Sequence, residues 1–101
     1  MHIQVLYFEG CPHHAPTVAL VRDVITDLGL EAEIEEIEVT QPDDAERLRF
    51  FGSPTVQVKG VDIDPSAASR SDYGLSCRMY NGSGIPPRDW LVAVCQEQRN
   101  R

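Results

Sequence analysis

Thiols and lysine are scarce in this chain: Cys11, Cys77 and Cys95 are its only cysteines, and Lys59 its only lysine, among 101 residues. An odd and sparse set of cysteines is not a disulfide scaffold; in a reducing compartment such residues are catalytic, redox-active or simply buried. Basic side chains are few as well, 9 against 16 acidic ones, and the net charge of −7 excludes nucleic acid and an anionic membrane surface as partners. Apolar runs of membrane-spanning length are missing, and a first strand starting at His2 or Ile3 leaves no room for a leader, so a cytoplasmic address is expected. There is no internal repeat and no low-complexity segment. Gly82-Ser83-Gly84 follows no long strand and lacks the lysine of a phosphate loop.

What the chain does contain is the composition of one ordinary globular domain, 42% hydrophobic and 25% charged, over residues 1–101. Ile3, Val5, Leu6, Tyr7 and Phe8 form a nearly continuous apolar run, the pattern of a central strand covered on both faces. Val18, Val21, Ile25 and Leu28 recur at spacings of three and four, predicting a helix from near Ala15 to a C-cap at Gly29. Glu31 to Val39 reads as an edge strand. Its apolar phase slips at Glu35-Glu36, which predicts a bulge or a change in the buried face. Thr40 to Asp43 starts a short second helix placing Ala45, Leu48 and Phe51 on the core and ending at Gly52. Thr55–Val58, Lys59-Gly60 and Val61–Ile63 read as a hairpin. The long stretch 64–84 is polar and glycine-rich with Tyr73, Leu75, Cys77, Met79 and Tyr80 interspersed, either a functional loop or a short extra strand with Cys77 as apolar filler. Ile85-Pro86-Pro87 opens a last helix striped by Trp90, Leu91, Val94 and Cys95, and core packing is the reading for Cys95.

The chemistry concentrates at Cys11-Pro12-His13-His14, between the first strand and the first helix. Unpaired N–H groups and the dipole of a helix N-terminus favour negative charge, so a thiolate is expected to form there more readily than in a free cysteine. His14 follows Cys11 by three residues, a spacing at which a protonated imidazole supports that thiolate. One Cys-x-x-His with no second ligand pair is too little for a structural zinc site, so neither a metal nor a cofactor is expected.

These features resemble the thioredoxin-like superfamily: the strand-Cys-x-x-His-helix step, and Ser53-Pro54 before the hairpin at the position of that family's cis-proline. The resemblance covers the element order from Ile3 to Ile63 and the final helix. It implies an α/β, three-layer β-α-β-α-β-β-α sandwich with an insertion at about 64–84, and a cis Ser53–Pro54 bond. It also implies thiol chemistry on a protein or small-molecule thiol or disulfide, with Cys11 as nucleophile assisted by His14, and Pro12, His13, Ser53, Pro54 and Thr55 flanking the substrate. His14 stands where the family's redox members carry a second cysteine, so a resolving thiol has to come from elsewhere. Cys77 in the insertion, beside Arg78, is the candidate.

A weaker resemblance, in Tyr73-Gly74-Leu75-Ser76-Cys77-Arg78 and Pro86-Pro87 to Trp90-Leu91, is to short bacterial proteins likened to alkylmercury lyases. It implies organomercurial or soft-metal handling by Cys11 and Cys77, with Asp62 or Asp64 as the acid. A non-catalytic thioredoxin-like binding module is the third reading.

Overall fold

The sheet is built on β1, His2–Tyr7, whose apolar run is covered on both faces. Ile3 and Val5 are buried against one set of helices and Leu6 against another, as alternation along a strand requires. This computed structural model describes residues 1–80 and 82–100. β1 is followed by α1 (His14–Leu28), β2 (Glu33–Glu38), α2 (Pro42–Arg47), β3 (Thr55–Val58), β4 (Val61–Asp62) and α3 (Arg88–Arg99). The strand order is β2-β1-β3-β4, with β1 parallel to β2 and antiparallel to β3. The chain is thus a mixed α/β domain with one four-stranded sheet. No helix among the described residues is long and apolar enough to cross a membrane.

One face of the sheet carries α1 and α3, which join Ile3, Val5, Val56 and Val58 to Val18, Val21, Val24, Leu91 and Cys95. The other carries α2, where Leu6 meets Val39, Ala45 and Phe50. Cys95 is fully buried in the first of these clusters, as its place on the α3 stripe predicts. Burial also pushes its thiol up, away from the reactive thiolate.

β2 is an outer strand, as its glutamates predict, but it carries no bulge. Its register against β1 runs unbroken from His2↔Glu33 to Tyr7↔Glu38. The slip at Glu35-Glu36 marks a strand that feeds both faces: Ile34 packs with the α1/α3 cluster and Ile37 with the α2 cluster. α2 stops earlier than expected. It ends with Arg47, Leu48 caps it, and Arg49 turns the backbone into the left-handed region at φ 56°. That turn sends Phe50 into the core, a residue whose burial the helical spacing does not reveal. The β3–β4 connection is a two-residue turn with both Lys59 (φ 52°) and Gly60 (φ 81°) at positive φ, the backbone that suits the twist of a tight hairpin.

The described residues of the 64–84 stretch do not form a free loop. A 3-10 turn at Ala67–Ser69 leads into a segment whose Cys77 makes a parallel bridge to Ser53. The expected apolar alternation is inverted there: Leu75, Cys77 and Met79 face solvent, whereas Arg78 and Tyr80 are buried.

Candidate functional site

Cys11 lies in the turn between β1 and α1 and is partly exposed. Its N–H donates to Phe8 O at 3.3 Å, and its carbonyl accepts from His14 N at 3.4 Å, which closes the turn that starts α1. His13 is the residue before the first helical position, with no side-chain hydrogen bond capping the helix. Pro12 is exposed beside the thiol-bearing residue.

Ser53–Pro54 is a cis peptide bond, as the resemblance implies. Ser53, Pro54 and Thr55 are all buried. The Ser53 hydroxyl accepts from Phe8 N at 3.4 Å, so Phe8 ties the Cys11 turn to the cis-proline turn: its carbonyl serves Cys11 and its N–H serves Ser53. The Thr55 hydroxyl donates to Gly52 O at 2.6 Å and accepts from Arg78.

Cys77 arrives at the same end of the sheet. Ser53 N donates to Ser76 O at 2.7 Å and Arg78 N donates to Ser53 O at 3.0 Å, bracketing Cys77 between them. Four hydrogen bonds therefore connect the two thiol-bearing segments: Cys11 to Phe8, Phe8 to Ser53, Ser53 to Ser76, and Arg78 back to Ser53. Cys77 itself is exposed and free, with exposed Leu75 and Met79 two residues to either side.

Arg78 is the residue that fastens this segment. The residue is 4% exposed, and its guanidinium makes paired hydrogen bonds to Asp62 at 2.9 and 3.0 Å, with Thr55 Oγ1 at 3.2 Å and Asp64 at 3.4 Å. Its cationic centre lies over the rings of Tyr80, at 4.5 Å, and Phe51, at 5.3 Å. Desolvation is the largest single influence and opposes the charge, but the Asp62 hydrogen bonds and the surrounding negative charge of Asp62 and Asp64 together overcome it and hold the guanidinium above its ordinary value. Asp64 is held below the usual carboxylate range: burial works against ionisation, and the Ser66 hydrogen bonds together with Arg78 overcome it.

Arg78 is therefore committed to carboxylates rather than presented to Cys77, which corrects the reading of it as a cation beside that thiol. The same geometry removes Asp62 and Asp64 as free acids, because both carboxylates are spent on Arg78.

The His14 imidazole is stacked flat on Tyr7, with centroids 3.6 Å apart and an interplanar angle of 6°. Its Nε2 lies 2.7 Å from a Glu36 carboxylate oxygen, close enough for an ion pair though not aligned for a hydrogen bond. These are the neighbours of the ring; among the described residues no side-chain hydrogen bond joins His14 to Cys11. His13 meets the far end of the insertion: a Cβ on Gly84 would lie 2.2 Å from its ring, so a larger residue there requires the His13 side chain to shift. The insertion thus touches the N-terminus of α1 as well as the cis-proline turn.

Cys11, His13 and His14 do not converge as ligands; no group of three His, Cys, Asp or Glu side chains among the described residues is arranged to hold a metal ion. A groove of about 630 Å³ runs past β4 between Trp90 and Val94 of α3 and the rings of Phe51 and Tyr73, and neither Cys11 nor Cys77 lines it.

Sequence reasoning placed Phe8, Tyr7, Glu36 and Tyr80 in elements but did not single them out as site residues. The available signal for Tyr7 and Glu36 was positional, since strands that pair in parallel with a crossover helix bring one sheet face beneath that helix. For Arg78 no local signal existed; its partners Asp62 and Asp64 lie 16 and 14 residues away. Comparison with protein-family models, with curated proteins and with solved structures finds no match to this chain.

Proposed function

We propose that this is a thioredoxin-like thiol oxidoreductase of a reducing, cytoplasmic setting, with Cys11 as nucleophile and Cys77 as the resolving thiol. The observation that carries the reading is the run of four hydrogen bonds through Phe8 and Ser53 that ties the Cys11 turn to the Cys77 segment. The strand order, the parallel β1–β2 pair, the antiparallel β1–β3 pair and the cis Ser53–Pro54 bond support the fold part of the proposal.

In this scheme the Cys11 thiolate attacks one sulfur of a disulfide R–S–S–R, forming a mixed disulfide and releasing RS⁻. Cys77, deprotonated, then attacks Cys11 Sγ; the Cys11–Cys77 bond forms and the second RS⁻ leaves. The substrate gains two electrons and two protons and the protein loses them, and an external thiol reductant returns it to the dithiol. His14 is not required as an ion-pair partner of Cys11 in this scheme; stacked on Tyr7, it stiffens the first turn of α1.

Mild oxidation with diamide followed by peptide mapping tests the pair. The expected product is an intramolecular Cys11–Cys77 disulfide with Cys95 unmodified, lost in Cys77→Ser. Only sulfenic acid or intermolecular products on Cys11 would sink the two-thiol scheme. The organomercurial reading also uses two thiols, but it needs a free acid, and both candidates are paired with Arg78. A binding module would keep its function in Cys11→Ala.

A further inference from the structure

Four backbone groups of the cis-proline turn already have partners within the chain, three of them in its insertion. Gly52 O accepts from the Thr55 hydroxyl. Ser53 N–H and C=O bond to Ser76 and Arg78. Pro54 O accepts from the Tyr80 hydroxyl, which is buried. The segment presses so closely that a Cβ on Gly52 would stand 2.7 Å from Ser76 O. The buried Arg78–Asp62 pair and the Gly84–His13 contact fasten it on both sides.

An extended polypeptide that adds to an exposed strand edge gains its affinity from main-chain hydrogen bonds, with side-chain pockets adding selectivity. The Ser53 N–H, one hydrogen-bonded residue from the Cys11 turn through Phe8, is already donated, and the three carbonyls of residues 52–54 already accept from the chain's own groups, so an added strand would have to displace Ser76–Arg78 to pair with Ser53. What stays open beside the thiols is small: partly exposed Cys11, exposed Cys77, and the exposed apolar side chains Leu75 and Met79.

We infer that Ser76–Arg78 is a built-in occupant of the strand position next to Cys11, and that the site therefore takes low-molecular-weight disulfides in preference to disulfides within an extended polypeptide. This rests on the thiol-exchange reading above and assigns its substrate class. The chemistry is the two-step exchange already written, with R a small organic group.

The test is single-turnover oxidation of the reduced protein by oxidised glutathione and, separately, by insulin, each time course stopped by alkylation. Each rate is divided by that of dithiothreitol with the same disulfide, which removes the intrinsic reactivity of the oxidant. The expected result is a normalised rate at least about tenfold higher for oxidised glutathione than for insulin. Equal or reversed normalised rates overturn the substrate class while leaving Cys11 exchange standing. Failure of Cys11 to react with either disulfide overturns the thiol-exchange reading and this inference with it. Arg78→Ala, which frees the segment, is expected to narrow the ratio in favour of insulin; a ratio that does not move overturns occlusion as the cause. Tyr80→Phe, which removes only the bond to Pro54 O, makes the same comparison should Arg78→Ala fail to fold.

Discussion

A guanidinium as deeply buried as that of Arg78 loses nearly all its hydration, and it is tolerated because Asp62 offers a two-point match, Thr55 a further acceptor and Tyr80 a ring face. Removing one partner of such a pair leaves the other charge buried and unmatched. Arg78→Ala is therefore expected to lower unfolding stability by about 3–5 kcal/mol, and Asp62→Asn by a comparable amount, both read from urea denaturation. Arg78→Met, which replaces charge by apolar volume, keeps Asp62 stranded and is not expected to rescue; combining it with Asp62→Leu is. Recovery by Arg78→Met alone would show that volume, not the ion pair, holds the segment. None of this was visible in the residues around position 78, where an arginine amid serine, cysteine and methionine looks like a solvated side chain. Its environment is created by residues distant in sequence, which periodicity does not sense.

At the scale of elements, those with strong periodicity were legible. The β1 run, the α1 and α3 stripes, the acidic outer strand and the Lys59-Gly60 hairpin all follow from local patterns, because each element's burial is dictated by its own spacing. The errors fell where tertiary contact decides. α2 ended early because Arg49 turns left-handed so that Phe50 can reach the core, whereas β2 took the second of its two expected forms, a change in the buried face rather than a bulge. The insertion was the least legible element, its inward side being an arginine and a tyrosine rather than its most apolar residues. Of the site, Cys11, Ser53 and Cys77 were recognisable as chemical groups, and the hydrogen bonds that relate them were not. Gly52 is where the insertion and the cis-proline turn meet most tightly, with φ at 125° and Ser76 O behind it. Gly52→Ala combines backbone strain of about 1–3 kcal/mol with a clash against main chain. It is expected to destabilise more than Gly84→Ala, where the His13 ring has room to rotate away; equal urea midpoints for the two variants would contradict that ordering.

For the whole molecule, charge sets a pH window. Arg70 holds Asp72 at about 2, against an ordinary 3.8, and Asp64 is also lowered. Both carboxyls take up protons more readily when unfolded, so their contribution is complete above 3.8 and disappears as pH falls through about 2. His2 has the opposite sign: its hydrogen bond to Glu35 raises it above 6.5, and its contribution is complete below 6.5 and lost as pH rises through the folded value. Glu35 is likewise lowered from 4.5 by its hydrogen bond to His2, so urea midpoints measured across pH should be highest between 4.5 and 6.5 and fall on the acid side, with a shallower acid limb in Asp64→Asn. An acid limb unaltered by that substitution would remove Asp64 from the account.

β2 has one further consequence. Four of its six residues, Glu33, Glu35, Glu36 and Glu38, carry carboxylates along an outer rim of the sheet, where main-chain groups would otherwise recruit another strand. A second molecule approaching rim to rim brings carboxylate against carboxylate in either strand direction, and like charges set opposite one another are repelled. The row of glutamates acts as an electrostatic fence, keeping neighbouring molecules from joining their sheets into a continuous ribbon.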